Sequence, residues 1–225
     1  MNTHNQNISG SRSIGGARSI FTDVGLVLLT GGFEIAKANV PDLIDGYIPA
    51  GTPLQVDEVN RTAVPFKVAK VATATTPVTG DTTIDVVKQP ADDFGKNPLK
   101  VGDTIMVLGS DLTTAGLGVT ISAIDTTTST TVDTITVSDA VVVVEGDYLI
   151  LSDKASASAA VPAVIPNCIT PYDIIKDPDA SQVYCEACVS LLNGQIYERR
   201  IPILPPLIKK VLYDNGCNFQ FTQSK

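Results

Sequence analysis

The chain has 225 residues, of which 44% are hydrophobic and 18% charged, with a formal net charge of −8 and a pI near 4.5. That apolar content supports a real core and excludes a wholly disordered chain, while the acidic balance argues against general nucleic-acid binding, which needs surplus Lys and Arg. No apolar run reaches the roughly 18 residues of a membrane span, and Met1–Asn7 lacks the basic-then-apolar pattern of a signal peptide, so no membrane partner is expected.

Residues 1–20 are rich in Asn, Ser, Gly and Arg, with isolated apolar positions at Ile14 and Ile20. Such a composition cannot bury itself, which predicts an extended N-terminal arm, either a frayed end or a strap on a partner. Arg12 and Arg18 make it locally basic. From Phe21 to Val40 a hydrophobic series is broken by Gly31-Gly32, which reads as two short strands or an anchoring loop. Pro41–Gly46 carries turn residues. Leu54 and Val56 alternate with Gln55 and Asp57, the period of a half-buried strand. Val64, Phe66, Val68 and Val71 continue the apolar series.

Composition then shifts toward Thr. Residues 73–158 read as an inserted all-β unit resembling a small barrel, with an internal echo. Thr83-Ile84-Asp85-Val86-Val87 leads to Val101-Gly102-Asp103-Thr104, and Thr134-Ile135-Thr136-Val137-Ser138 leads to Glu145-Gly146-Asp147-Tyr148. In each half Gly supplies a positive φ and Asp bonds its own backbone. Val119–Ile124 adds another alternating strand. Residues 159–163 fall in an Ala/Ser-rich linker that starts near Ala155. The first domain then resumes, as 21–72 joined to 164–225. Tyr184–Leu192 reads as a strand, and Asn193-Gly194 as a hairpin turn into Gln195–Arg200. Pro205-Pro206 opens a short helix with Leu207, Ile208, Val211 and Leu212 on one face, ended by Gly216. Phe219 and Phe221 close the chain with a strand.

The only histidine is His4, which argues against hydrolases built on a histidine base. Cys185 and Cys188 have redox or zinc spacing, but in a strand they point to opposite faces. A structural zinc would need Cys168 and Cys217 to converge on them. The preferred reading is four small buried hydrophobes kept as free thiols. No phosphate loop is present. Asp81, Asp85, Asp92, Asp93, Asp103 and Asp147 are too dispersed for a calcium loop and read as solvated turn acids. No catalytic residue, cofactor or metal is expected.

Gly51-Thr52-Pro53-Leu54, Asn167-Cys168-Ile169-Thr170-Pro171-Tyr172-Asp173, Ala187–Leu192 with Asn193-Gly194-Gln195-Ile196, the helix Pro206–Asn215 and Gly216–Phe221 occur in an order that resembles the head-decoration and head-fibre proteins of tailed bacteriophages. The resemblance covers about residues 45–72 and 164–222 and rests on spacing and residue class. It implies a mainly β protein: a small decoration-type β-domain with one short C-terminal helix, interrupted by an inserted small β-barrel and preceded by the arm. It further implies a homotrimer on the outer capsid surface of a virion, made in the host cytoplasm, with the major capsid protein as partner. In such a protein Arg12, Ile14, Arg18, Ile20 and Phe21 would contact the capsid. The long insertion departs from simple lattice cementing. The alternative is a tail, baseplate or surface adhesin whose inserted barrel binds host glycan or protein; an enzyme such as a depolymerase is the weakest reading.

Overall fold

The computed structural model describes residues 20, 26–36, 39–40, 47–73, 82–88, 97–155, 157–175, 182–190 and 194–222. The chain is mainly β with one short helix. Its strands are β1 (Leu26–Ala36), β2 (Tyr47–Ile48), β3 (Pro53–Asp57), β4 (Thr62–Pro65), β5 (Val68–Lys70), β6 (Thr83–Val87), β7 (Thr104–Val107), β8 (Gly116–Asp125), β9 (Val132–Val137), β10 (Tyr148–Leu151), β11 (Ala157–Ala160), β12 (Cys168–Ile169), β13 (Ile174–Ile175), β14 (Gln182–Ser190), β15 (Gly194–Tyr197) and β16 (Phe219–Thr222). The helix α1 spans Pro206–Asp214.

Strands β1, β14, β12, β3 and β4 close a five-stranded barrel. The Gly31-Gly32 interruption does not divide β1. It forms a bulge between Leu29 and Phe33, where the register on β14 moves only from Ala187 to Cys185, and Gly32 takes φ +65°. A bulge absorbs extra residues in one strand while both flanks keep their pairing. The alternation expected at Leu54 and Val56 holds, with both side chains buried and Gln55 and Asp57 exposed. The barrel interior is filled by Phe33, Ile35, Leu54, Val56, Val183, Cys185 and Ala187, among others.

The Asn193-Gly194 hairpin is not the pairing that forms. β14 has both edges taken, by β1 and by β12. β15 instead runs parallel to β16, from Gly194↔Phe219 to Tyr197↔Thr222. A tertiary partner has outcompeted the local turn signal. The turn residue Asn193 itself lies outside the described residues, as does the Pro41–Gly46 turn.

The second sheet runs β5-β10-β7-β8-β9-β6, with β11 on β8. It curls until β5 meets β6 at a Val71↔Val86 bridge, joined by Ala72 N–H to Asp85 O at 2.8 Å. The order β10-β7-β8-β9 is a Greek key, three hairpin-connected strands with the fourth returning beside the first. Three sequence boundaries move. β5 belongs to this sheet, so the unit begins near Val68 and not at Thr73. β11 belongs to it too, so the Ala/Ser segment through Ala160 is a strand. Residues 161–163 are also tied back, by Asp153 N–H to Val161 O and Ala163 N–H to Leu151 O. Small side chains make the β11 contact possible: a Cβ on Gly118 would stand 2.9 Å from Ala160 Cβ and collide with the Lys154 carbonyl.

The internal echo is an atomic repeat. Gly102 and Gly146 take φ +91° and +92°. Asp103 accepts Lys100 N–H at 3.0 Å, and Asp147 accepts Val144 N–H at 2.8 Å. Asp103 N–H donates to Lys100 O and Asp147 N–H to Val144 O, each at 3.0 Å. The following strands β7 and β10 share one burial pattern and pair antiparallel, with Met106 opposite Ile150 at the centre. That register places a local twofold axis through the pair. The axis relates β5 to β8, whose registers on β10 and β7 correspond, and β6 to β9.

A third core fuses the two sheets. It gathers Phe66, Val68, Met106 and Ile150 with Ile169 and Cys188 of the first barrel, and seats Ile196, Ile208, Leu212 and Phe219 on top. α1 buries Ile208 and Leu212, with Leu207 and Val211 partly covered at its flanks. Gly216 at φ +87° ends the helix by turning the chain so that Cys217 N–H reaches Leu212 O. Phe221 receives the Lys209 ammonium at 5.1 Å from its ring centroid.

Two ion pairs were invisible as such in the sequence. Asp103 is no solvated turn acid: Lys67 Nζ donates to its carboxylate at 2.8 and 3.1 Å, with the side chains 1% and 11% exposed. Lys67 lies where the first barrel hands over to β5, so the pair clamps the junction to the Gly-Asp turn. Asp133 is fully buried in β9 and meets Lys88 Nζ at 3.2 Å by charge alone, while Lys88 donates to Thr126 O and Ser129 O.

Removing one member of a buried pair strands the other in low dielectric. Lys67→Met is expected to lower stability by about 3–5 kcal/mol, seen as a lower urea midpoint. A loss within about 1 kcal/mol, the scale of an exposed pair, would show that Asp103 finds water instead.

Candidate interaction site at the root of the N-terminal arm

The two segments Gly51-Thr52-Pro53 and Ile169-Thr170-Pro171 meet in a buried polar knot. A residue before proline is pushed into extended conformation, so Thr52 and Thr170 present their backbones to each other. Thr170 N–H donates to Thr52 O at 3.0 Å, and Gly51 N–H to Thr170 O at 2.8 Å. The hydroxyls complete the knot. Thr170 Oγ1 accepts Thr52 N–H at 3.0 Å and donates to Pro49 O at 2.9 Å, where Thr52 Oγ1 also donates at 2.7 Å. Asp173 Oδ1 accepts Ala50 N–H at 2.7 Å. Both threonines are buried, so the bonds of their hydroxyls form out of water, while the Asp173 bond is part-buried.

Against this knot sits Ile20. Among Arg12, Ile14, Arg18, Ile20 and Phe21, it alone lies within the described residues. Its carbonyl accepts Tyr197 N–H at 2.9 Å, so the chain approaches β15 in the manner of a strand. Its side chain is 1% exposed, inside the inter-sheet core with Ala50, Ile196 and Ile201. Ile20 thus packs into its own fold. The expected arm, residues 1–19, lies outside the described residues, and Ile20 is the first residue described.

Gly51 makes the slot. It takes φ +80°, and a Cβ there would stand 2.7 Å from Ile201 Cβ and 3.4 Å from Ile20 Cδ1. Only glycine allows Ile20 and Ile201 to close over the knot. Tyr197 and Arg200 fall in the predicted return strand and Ile201 is an apolar position just beyond it, and the sequence gives none of them a role at a site. The signal was faint: an aromatic and a basic pair, Tyr197-Glu198-Arg199-Arg200, just past a strand. In space Arg200 lies over the Tyr197 ring at 5.2 Å, and both are exposed. Tyr172, next to Asp173, is exposed as well. Exposed tyrosine and arginine at one place are the residue types that dominate protein interfaces.

Charge separates arm from body. The first 20 residues hold Arg12 and Arg18 and no acid, so the rest of the chain carries a formal −10 within the whole chain's −8.

The thiols lie under the knot. Cys185 faces the first barrel's interior and Cys188 the inter-sheet core, opposite faces of β14 as expected. Cys217 Sγ donates to Asn167 O at 2.8 Å and Cys168 Sγ to Leu54 O at 3.6 Å. Burial pushes Cys185 up to about 12 and Cys217 to about 11 from an ordinary 9.0, and raises Cys168 and Cys188 further. All four are free and buried, and protonated thiols are neither nucleophiles nor metal ligands. Among the described residues, no three His, Cys, Asp or Glu side chains gather as metal ligands, and no helix is long and apolar enough to cross a membrane.

Gly51→Ala combines strain at positive φ with overpacking against Ile201 and is expected to cost about 2–4 kcal/mol; an unchanged melting temperature would show that the slot yields freely. The thiols set a pH dependence. Because burial raises their folded pKa values, an unfolded chain loses these protons first as pH rises. Their contribution is complete below about pH 9 and is lost as pH climbs through 11 to 12. Melting temperature is expected to fall above pH 9, less steeply in Cys185→Val. Iodoacetamide at pH 8 should label no cysteine in the native chain and all four in denaturant; rapid native labelling would contradict the burial.

No family model, curated protein or solved structure matches this chain.

Proposed function

We propose that this chain is a virion structural protein that binds the outer surface of a tailed-bacteriophage capsid, as a decoration protein or head-fibre base, and acts by adhesion with no bond made or broken. The observation that carries the reading is the arm's root. Two of the segments that gave the resemblance, 51–54 and 167–173, are stitched together beneath Ile20. A basic, apolar-poor arm of 19 residues thus leaves a rigid acidic body at a fixed point. Fully extended it would reach about 60 Å, enough to cross a neighbouring subunit. The partner is the major capsid protein, with Arg12 and Arg18 supplying charge and Ile14 an apolar contact. Ordering such a strap costs entropy, and repeated attachment on a symmetric shell offsets it. The protein is a homotrimer on this reading.

The deletion that tests the strap stops at Ser19, because removing Ile20 would empty the slot. Purified heads of the phage that encodes the chain, stripped of it, are mixed with full-length protein or with the chain lacking residues 1–19, and sedimented. The full chain is expected to co-sediment at a fixed ratio to the shell protein, and the truncation to stay in solution with an unchanged melting temperature. Equal decoration by both would refute the strap; failure of the full chain to bind would refute the capsid reading.

A further inference from the structure

The local twofold of the second sheet shows what one half of it lacks. Ile121 N–H donates to Asp103 O and Gly102 N–H to Ile121 O, each at 2.9 Å. In the other half Val71 N–H donates to Asp147 O at 2.8 Å and Gly146 N–H to Val71 O at 3.0 Å. The Ile121↔Val137 pair likewise matches the Val71↔Val86 bridge. Thr120 therefore corresponds to Lys70, and Ser138 to Val87.

The two halves differ in one bond. Thr120 O accepts Ser138 N–H at 2.9 Å, and Thr120 N–H donates to Ser138 Oγ at 3.1 Å. Bonding alternates along an antiparallel strand, so Val71, bonded to Asp147 O, leaves Lys70 N–H turned away from β10 and toward β6. Val87 has no side-chain oxygen to receive it, and the β5–β6 pairing stops at its one bridge. Among the described residues no other acceptor takes the serine's place. An open cleft of about 420 Å³ lies there instead, within the size range of small-molecule sites. Three valines line it, the buried Val71, the half-buried Val87 and the exposed Val144, together with the opposite charges of Lys70 and Glu145. Among the described residues neither charge has an ion-pair partner.

We infer that this cleft binds an aliphatic α-amino acid. The ligand carboxylate accepts Lys70 N–H and meets the Lys70 ammonium, a charge-assisted bond at a donor the fold leaves open. The α-ammonium meets Glu145, and the branched side chain covers the valines. A carboxylate without the ammonium would bring an anion to Glu145, and an amine without the carboxylate would leave Lys70 N–H unmatched in a covered site, which costs binding. The cleft lies in the second sheet alone, so its occupancy is independent of the arm and of any capsid.

The test is a titration of the full chain with L-leucine, read on the Lys70 amide and Val144 methyl resonances. It runs past about 10 mM, above the dissociation constant on the order of 1 mM that suits so small a ligand in an open cleft. Both resonances are expected to shift and saturate, while the Thr120 amide, whose acceptor is built in, stays in place. 3-Methylbutanoate, which lacks the ammonium, and 3-methylbutylamine, which lacks the carboxylate, are expected to bind at least about tenfold more weakly. Val87→Ser supplies the oxygen present in the other half. It is expected to abolish the leucine response and to slow hydrogen exchange of the Lys70 amide toward that of Thr120. Lys70→Met keeps the N–H and removes the charge, and is expected to weaken leucine about tenfold. No shift with leucine would overturn the proposal. So would equal binding by either single-charge analogue, or leucine binding undiminished in either variant.

Discussion

The Thr52–Thr170 knot holds the two halves of the first barrel, 118 residues apart in sequence, in one piece. Its strength lies in completeness. Pro49 O accepts both hydroxyls, each threonine backbone finds the other, and Asp173 takes the remaining amide of Ala50. A buried hydroxyl or amide left without a partner costs about 1–3 kcal/mol, so breaking one member exposes the others to the same penalty. The neighbouring strand pairs are short, with β3 and β12 matched over only Leu54↔Cys168 and Pro53↔Ile169. Asn167 lengthens that ladder with its side chain, accepting Val56 N–H at 2.9 Å and donating to Val56 O at 3.1 Å. Polar groups thus do at this junction what a longer sheet would do elsewhere.

The insertion is held by different means. Both of its ends cross at the inter-sheet core, where Phe66 and Val164 pack with Met106 and Ile150. Met106 and Ile150 lie on the local twofold of the second sheet, so its most symmetric point is also its docking point. The symmetry fails where function of the chain path demands it. β8 and β9 pair as a hairpin from Ile121↔Val137 to Asp125↔Thr134, with one register shift between Ile121 and Ala123, while their counterparts β5 and β6 meet at the single Val71↔Val86 bridge. Lys67 has no counterpart either, since the equivalent position on β8 is Leu117. The two departures share a cause: the strand β5 must begin in the first barrel and end in the second.

Much of this was legible in the sequence, and the reasons for the rest are physical. The alternation in β3, the Gly-Asp turns, the helix between Pro205 and Gly216 and the opposed cysteines of β14 are local signals, and each appears in the fold. What composition could not give was partnership. Asn193-Gly194 promised a hairpin, yet the edges it needed were occupied by β1 and β12. The Ala/Ser stretch read as a linker because low complexity hides a strand whose only requirement is smallness opposite Gly118. Lys67 and Asp103, 36 residues apart, look like ordinary surface charges until the fold brings them together. At the candidate site the knot's residues were visible as a split motif, whereas Tyr197 and Ile201, which receive the arm's root, carried no pattern of their own.

The root changes what an arm can do. A flexible tail joined to a body by a loose linker transmits little of its own binding to that body, because the linker's freedom absorbs it. Here the chain leaves from Ile20, whose carbonyl is bonded to β15 and whose side chain lies on Gly51. Tension on the arm is therefore carried in two directions, into the β15–β16 pair with α1 behind it, and into the knot that joins both halves of the first barrel. Peeling Ile20 away would expose an isoleucine, open the cover over Gly51 and free the Tyr197 amide in one step. Burial of one such side chain is worth about 1.5–3 kcal/mol, and the hydrogen bond adds about 1 kcal/mol. On the proposed capsid reading, a partner holding the arm more weakly than that would release it before the root yielded.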